Sequence, residues 1–281
     1  KLLTDGINCV VTPPHTVMQE KCQKQKNDRI DCRRLAKNLE NNDYKACHVP
    51  DKQRREDRQI SRLYGQNQKD ITRGCNRIRR TLEFHGLDIH FAPGTWSRRD
   101  YNMARERLEV MEMSDPLRFT FEKYFDTLDR LWELKKELLK ELNELAKSER
   151  YQKDVEILKS TPGIGNLTSI RIALELGDMA RFKRKEEFGS FLGLIPSDYS
   201  TGERERKGHI TKQGNHALRS WFIESSWVAI KYDPVLLDKY QRVYKNCKSK
   251  KKAIVAVARK LAMRIRTLLI TQQLYVIGQV Q

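Results

Sequence analysis

Within the stretch from Phe188 to Arg219, Pro196 and Gly202 bracket three aliphatic hydroxyls, Ser197, Ser200 and Thr201. Arg204, Arg206, Lys207, His209 and Lys212 follow closely. Proline and glycine deny such a stretch a regular helix or a central strand, so the hydroxyls are expected on an irregular loop between two ordered segments. A serine or threonine hydroxyl is a weak nucleophile by itself. Placed beside several guanidinium and ammonium groups it suits attack on a phosphate better than attack on a neutral substrate. The same residue types also make turns in which a hydroxyl bonds its own backbone, and spacing does not separate the three candidates.

Two further groups have spacings with chemical meaning. Asp28 and Asp31 lie three residues apart beside a stripe of Ile30, Leu35 and Leu39, so both carboxylates project from one face of a helix. Hard oxygen ligands of that kind select Mg²⁺ or Mn²⁺. Acids in the first turn of a helix produce the same pattern with no metal. Gly163 and Gly165, in the turn TPGIG between two apolar helical pieces, resemble a helix-hairpin-helix, whose glycines and free amides approach a phosphate. A purely structural helical hairpin uses the same glycines.

These groups need elements to position them. Residues 51–87 hold a helical pattern through Ile60, Tyr64, Ile71, Cys75, Ile78 and Leu82, with Arg73, Arg77, Arg79 and Arg80 massed at its end. Together with Arg54 they form a basic ridge that could follow a nucleic-acid backbone. From Leu117 to Leu145 apolar residues alternate steps of four and three for roughly four heptads, broken only by Lys135, which predicts a coiled coil or long helical hairpin. The partner helix lies either in this chain, at 51–82, or in a second copy. Gly6 to Thr12 reads as a buried strand closed by Pro13-Pro14. A strand so close to residue 1 predicts that the chain begins inside a domain. Lys245 to Lys252, KNCKSKKK, is a basic cluster leading into a last amphipathic helix.

Fifty-five lysines and arginines against 37 acids leave a net charge of +18 over 281 residues, the footprint of a protein that neutralises nucleic-acid phosphates. The six cysteines form no CxxC pair, which excludes a zinc ribbon and predicts reduced thiols in a cytosolic compartment. No stretch approaches the apolar length of a membrane span.

Residues 26–36, KNDRIDCRRLA, resemble the second half of the acidic motif of the DEDD insertion-sequence transposases, relatives of Piv-type DNA invertases and understood as bridge-RNA-guided recombinases. Residues 161–182, TPGIGNLTSIRIALELGDMARF, and 191–219, FLGLIPSDYSTGERERKGHITKQGNHALR, are similar to that family's C-terminal transposase domain, and residues 251–265, KKAIVAVARKLAMRI, to its closing helix. The resemblance implies a mixed but mostly α protein. Residues 1–50 would be the end of a RuvC-like, ribonuclease-H-like α/β domain, 51–150 a helical coiled-coil middle, and 151–281 an all-helical C-terminal domain with the helix-hairpin-helix-like element.

It further implies that Ser200 forms a covalent link to DNA and that Asp28 and Asp31 take the last two of four metal-binding acidic positions. The first Asp and the Glu of that motif would lie upstream of residue 1. Arg204, Arg206, Lys207 and Lys212 would then hold phosphates. The implied partners are donor and target DNA, a structured bridge RNA on the ridge ending at Arg80, and further copies of the chain in a dimer or tetramer joined through coiled coils. The implied setting is the cytoplasm of a prokaryote, at the nucleoid. A site-specific invertase that needs no RNA, and a non-catalytic nucleic-acid scaffold, are the alternatives.

Overall fold

A computed structural model describes residues 5–13, 27–87, 89, 96–198, 207–211 and 213–279. The chain divides into two units, residues 1–52 and 53–281.

In the first unit the described residues form one helix, α1 (Asp28–Glu40). Asn27 starts it by accepting a hydrogen bond from the Ile30 amide at 2.9 Å, and Asp28 and Asp31 fall in the first turn, where the helix dipole favours acids. The strand expected at Gly6–Thr12 is not formed. Residues 7–13 have no ladder, Ile7, Val10 and Val11 are exposed, and Val11 accepts from the Cys47 amide at 2.7 Å. An apolar run becomes a strand only where neighbouring strands satisfy its backbone.

The second unit is built on two 33-residue helices, α2 (Lys52–Phe84) and α4 (Asp115–Lys147), with α3 (Arg98–Val110) between them in sequence. The heptad seam of α4 finds its partner in the same chain. Asn67 of α2 donates to the Leu131 carbonyl, and further along Arg77 lies over the Tyr124 ring, so the two helices run antiparallel. Ile71, Cys75, Ile78 and Leu82 of α2 are buried with Phe121, Phe125 and Leu128 of α4 and with Tyr101, Ala104 and Leu108 of α3. Lys135, the break in the seam, is half-buried and folds its ammonium over Trp132 at 4.7 Å. Helix α3 was not expected. Its Ser97–Asp100 capping box and its apolar spacing at 101, 104 and 108 produce it.

Beyond Leu138 the seam enters a second core. Leu138, Leu142 and Ala146 pack with α5 (Gln152–Lys159), α6 (Asn166–Leu176), α7 (Lys185–Leu192), α8 (His216–Tyr232), α9 (Pro234–Cys247) and α10 (Lys250–Thr271). Helix α10 is the centre of this layer, with Val257, Ala258, Leu261, Ala262 and Ile265 fully buried and with α8 and α9 on its flanks. The domain is not all-helical. An antiparallel ribbon, β1 (Pro196–Asp198) against β2 (Lys207–Ile210), rises between α7 and α8, with Pro196 opposite Ile210, Asp198 opposite Lys207, and an irregularity between them. Pro196 can occupy β1 because a two-stranded ribbon leaves one side of each strand without a ladder. No helix among the described residues is long and apolar enough to cross a membrane.

Candidate nucleic-acid interface

The ribbon carries the hydroxyl segment, and its base is pinned. Helix α7 ends on Gly193 in the left-handed conformation at φ +67°, and Gly214 turns back into α8 at φ +118°. A Cβ on Gly193 would stand 2.4 Å from the Gln213 carbonyl, and one on Gly214 would stand 2.5 Å from the Phe191 carbonyl. Only glycine meets both the backbone angle and the space. The Asn215 amide donates to the Phe191 carbonyl at 2.9 Å, and the Thr211 amide to Ile195 at 3.0 Å. Both ends of the excursion from residue 194 to 213 therefore close on one point.

Asn215 ties that point to the rest of the domain. Its side-chain oxygen caps α8 by accepting from the Ala217 and Leu218 amides, and its Nδ2 donates to Glu175 at 3.0 Å. Glu175, 5 % exposed, sits on α6 and also accepts from Arg62 Nε at 3.2 Å, with Arg58 at 4.0 Å. One buried carboxylate thus joins α2, α6 and the start of α8. One turn earlier on α6, Arg171 donates to Ser61 and lies between the rings of Tyr64 (5.2 Å) and Trp221 (4.4 Å). Burial holds this guanidinium below its ordinary value, and the neighbouring Tyr64 and Glu175 offset part of the shift.

Above this floor runs an open groove of about 730 Å³. Arg62, Lys69 and Arg73 line it from α2, Arg171 and Glu175 from α6, and His216, Ser220 and Trp221 from the first turns of α8. Arg62 is 53 % exposed and Arg73 72 %, so both reach solvent over the groove while Glu175 stays below. Cations on one wall and a stacked guanidinium on the floor give the groove a positive lining of the kind that suits phosphates, while the α8 amides at Ala217 and Leu218 are already taken by Asn215.

The basic ridge of α2 divides into a structural and an exposed part. Arg54 donates to the Ala173 carbonyl, and Arg58 to Leu174 and Glu175. With Arg181, which donates to Leu176, they satisfy the C-terminal carbonyls of α6, where a cation is favoured. Arg181 is buried among those cations and over Phe182 and Phe191, which lowers it to about 10. The four arginines singled out in the sequence do not share one face. Arg73 lines the groove and pairs with Asp70 at 3.0 Å, Arg77 covers Tyr124, Arg79 covers Trp96, and Arg80 pairs with Glu83 in solvent.

Gly163 has a packing reason: at φ +88°, a Cβ there would stand 2.4 Å from the Ser225 carbonyl of α8. Gly165 opens α6 with no side-chain cap, and nothing lies within 4 Å of its Cβ position. Asp28 and Asp31 share the first turn of α1, and Asp31 pairs with Arg34 at 3.3 Å. Among the described residues no group of three or more His, Cys, Asp or Glu side chains could hold a metal. Two carboxylates alone fit Mg²⁺ or Mn²⁺ only where waters or substrate phosphates complete the shell. Ser200, Thr201, Arg204, Arg206 and Lys212 lie outside the described residues; Lys207 takes a place in β2.

Arg62, Lys69, Arg171, Glu175, His216 and Trp221 were not singled out from sequence. The readable signal was Arg171 and Glu175, two charges four apart in the otherwise apolar NLTSIRIALEL, hence on one helical face.

Residues 155–241, from α5 into α9, match the family model described as "Transposase IS116/IS110/IS902 family". The matched segment holds the TPGIG turn, the ribbon and the α6 and α8 sides of the groove; the α2 wall lies outside it. Among curated proteins the chain is similar to "Transposase for insertion sequence element IS1111A" of Coxiella burnetii, 30% identical over 141 residues, which is 49% of this chain and 38% of that protein. It is similar to "Putative transposase y4qE" of Sinorhizobium fredii, 24% identical over 229 residues, 82% of this chain and 54% of that protein. It also resembles the "Pilin gene-inverting protein" of Moraxella bovis, 29% identical over 107 residues, 37% of this chain and 33% of that protein. The chain thus spans about half or less of the length of each of these relatives.

Proposed function

We propose that the chain acts in an insertion-sequence transposase that cuts and rejoins DNA through a serine–phosphate intermediate. The observation that carries this reading is the pinned ribbon. The segment bearing Ser200 joins two strands whose base closes on Gly193 and Gly214, and that base is tied through Asn215 and Glu175 to the floor of a basic groove. Catalysis of phosphoryl transfer rests on positioning and charge, and a pinned ribbon base beside a basic groove supports a reading that needs both.

Ser200 Oγ attacks a DNA phosphorus and loses its proton, the P–O bond to the 3′ oxygen breaks, and that oxygen leaves as a 3′-hydroxyl. A 3′-hydroxyl from a second strand then attacks the same phosphorus and releases the serine, so no phosphodiester is lost to water. Arg62, Lys69, Arg73 and Arg171 hold the flanking backbone, and Arg204, Arg206, Lys207 and Lys212, which follow the serine in sequence, hold further phosphates. Asp28 and Asp31 would hold Mg²⁺ or Mn²⁺, which stabilises charge on the phosphate oxygens when bound.

A structured guide RNA selects the sites by base pairing in this proposal, and the chain works as a dimer or tetramer. The exposed Phe84, Val110 and Phe119 of α2, α3 and α4 support contacts between copies through the helical middle. The similarity to a pilin gene-inverting protein favours a second reading, an invertase that needs no RNA. Sequencing of nucleic acid that copurifies with the protein separates them, since the first reading requires one structured RNA species and the second none.

The serine is tested with end-labelled DNA on a denaturing gel. The unaltered protein is expected to give a covalent adduct, and so are Ser197→Ala and Thr201→Ala. Ser200→Ala is expected to give none, and an undiminished adduct from it would sink the assignment.

A further inference from the structure

Further along the exposed face of α8, two turns beyond its groove-lining residues, α8 and α9 present a stripe of aromatic rings that the described elements leave partly open. Trp227 is 36 % exposed and Tyr244 37 %. Trp227 meets Tyr240 with ring centroids 5.9 Å apart, and Tyr240 meets Tyr244 at 6.0 Å with an interplanar angle of 3°. Buried aromatic rings commonly meet edge to face in a core; here two tyrosines one turn apart stand parallel and in part open to solvent. The stripe runs toward the α9–α10 turn, where the basic cluster seen in the sequence lies.

We infer that this face binds an unpaired DNA strand, with bases stacked on Tyr244, Tyr240 and Trp227 and phosphates on the lysines of the α9–α10 turn. Three observations choose that occupant. Residues 220–252 hold eight lysines and arginines against three acids, and one of those acids, Asp233, is sealed in the core. A face so rich in lysine is unlike the centre of a protein–protein contact, from which lysine is depleted, and fits a polyanion. Second, Lys250, Lys251 and Lys252 occupy the first turn of the 22-residue α10 with no acid among them. Cations at a helix N-terminus oppose its dipole, and an anion there offsets the cost. Third, burial and then the charges of Arg264, Lys239 and Arg242 hold the Lys260 ammonium below its ordinary range, and of these cations Lys239 and Arg242 belong to α9 beside the stripe. A phosphate backbone relieves that crowding. Stacking is indifferent to base identity, which suits a strand that differs from site to site.

The inference rests on the reading of the chain as one that cuts and rejoins DNA, because cutting and guided pairing both release an unpaired strand. It is tested on the full chain with fluorescein-labelled oligo(dT), a duplex of matched length and oligo(rU), by anisotropy across a salt series. Tyr244→Leu and Trp227→Leu are each expected to weaken oligo(dT) binding about ten-fold and to leave duplex binding unchanged. Tyr244→Phe, which keeps the ring, is expected to bind as the unaltered chain does. Replacing Lys250, Lys251 and Lys252 with Gln is expected to lower the salt slope for oligo(dT) by about 2.

Unchanged oligo(dT) affinity in both leucine variants, with far-UV circular dichroism intact, overturns the inference. So does sedimentation showing that the same variants split an oligomer, or oligo(rU) binding more tightly than oligo(dT) through the same rings. Duplex binding without oligo(dT) binding sinks this inference and leaves the proposed function standing. Failure to bind any of the three probes sinks both.

Discussion

Asp233 and Glu175 are both carboxylates taken out of water beside arginines, and the domain uses them in opposite ways. Asp233 is 0 % exposed and sealed on every side. It pairs with Arg264 at 2.7 Å, accepts from the Tyr275 hydroxyl, and caps α9 through the Val235 amide at 2.8 Å. Arg264 also donates to the Tyr275 oxygen and the Gln279 carbonyl. The cluster clasps Tyr275 and Gln279 to α9 and α10 and shares no residue with the groove between α2, α6 and α8. Glu175 also draws two arginines and an asparagine, but one of its partners, Arg62, reaches solvent over the groove. A sealed ion pair holds a fold together, whereas one with an open side can pass a change of charge in the groove on to the helix that carries the ribbon.

That contrast sets an order of expected effects. Asp233→Ala leaves Arg264 charged and buried and α9 without its cap, so a loss of about 3–5 kcal/mol is expected from chemical denaturation. The effect depends on pH with a definite sign. Burial alone would raise the Asp233 carboxyl, but Tyr275, the Val235 amide and Arg264 outweigh it and hold it below the usual carboxylate range. Its contribution is therefore present above about pH 4, the unfolded value, and is lost as pH falls below that toward the folded value. In Asp233→Ala the slope of stability against pH in that acid window is expected to flatten; an unaltered slope would remove Asp233 from the account.

Glu175→Gln keeps the shape and removes the charge. One acceptor survives while an amide is turned toward the Arg62 or Asn215 donors. A loss of about 1–3 kcal/mol is expected, smaller than at Asp233 because Arg62 can turn to water. DNA affinity is expected to fall with it, as the start of α8 loosens from α6. Should the urea midpoint drop as far as for Asp233→Ala, the groove floor is as sealed as the other cluster and the contrast breaks.

Lys69→Gln and Arg73→Gln produce the smallest effects. Both side chains are surface groups of the groove wall, so stability is expected to change by no more than about 0.5 kcal/mol. Each is expected to reduce the slope of log affinity against log salt for duplex DNA by about 0.9. A slope that stays put in both variants would move the phosphate track off the α2 wall.

Much of this architecture was legible. The three-and-four spacing from Leu117 to Leu145 predicted α4, the pattern through Tyr64, Ile71 and Ile78 predicted α2, and TPGIG marked the turn between α5 and α6. These are local signals, since one buried face repeats along one helix. Helix α3 was legible in principle from its capping box. The expected strand near residue 10 failed for the converse reason, because a strand depends on partners that its own residues do not encode.

The candidate site was legible only at its ends. The hydroxyl segment and the cations behind it were marked by residue type and spacing, and only likeness to a known motif set Ser200 apart from Ser197 and Thr201. Their support was not. Nothing local distinguishes Arg58, spent on the carbonyls of α6, from Arg62 four residues later, which leans over the groove. Both are arginines on the same helix. Residue types and periodicity were enough to establish the long helices α2 and α4, the excess of positive charge and the hydroxyl segment, because propensity, burial pattern and net charge act along the chain. Which cations remain open, which glycines pin the ribbon, and that one carboxylate joins α2, α6 and α8 were decided by packing between residues about 40 to 115 positions apart. Those are choices among chemically identical side chains, and only the neighbours brought by the fold can make them.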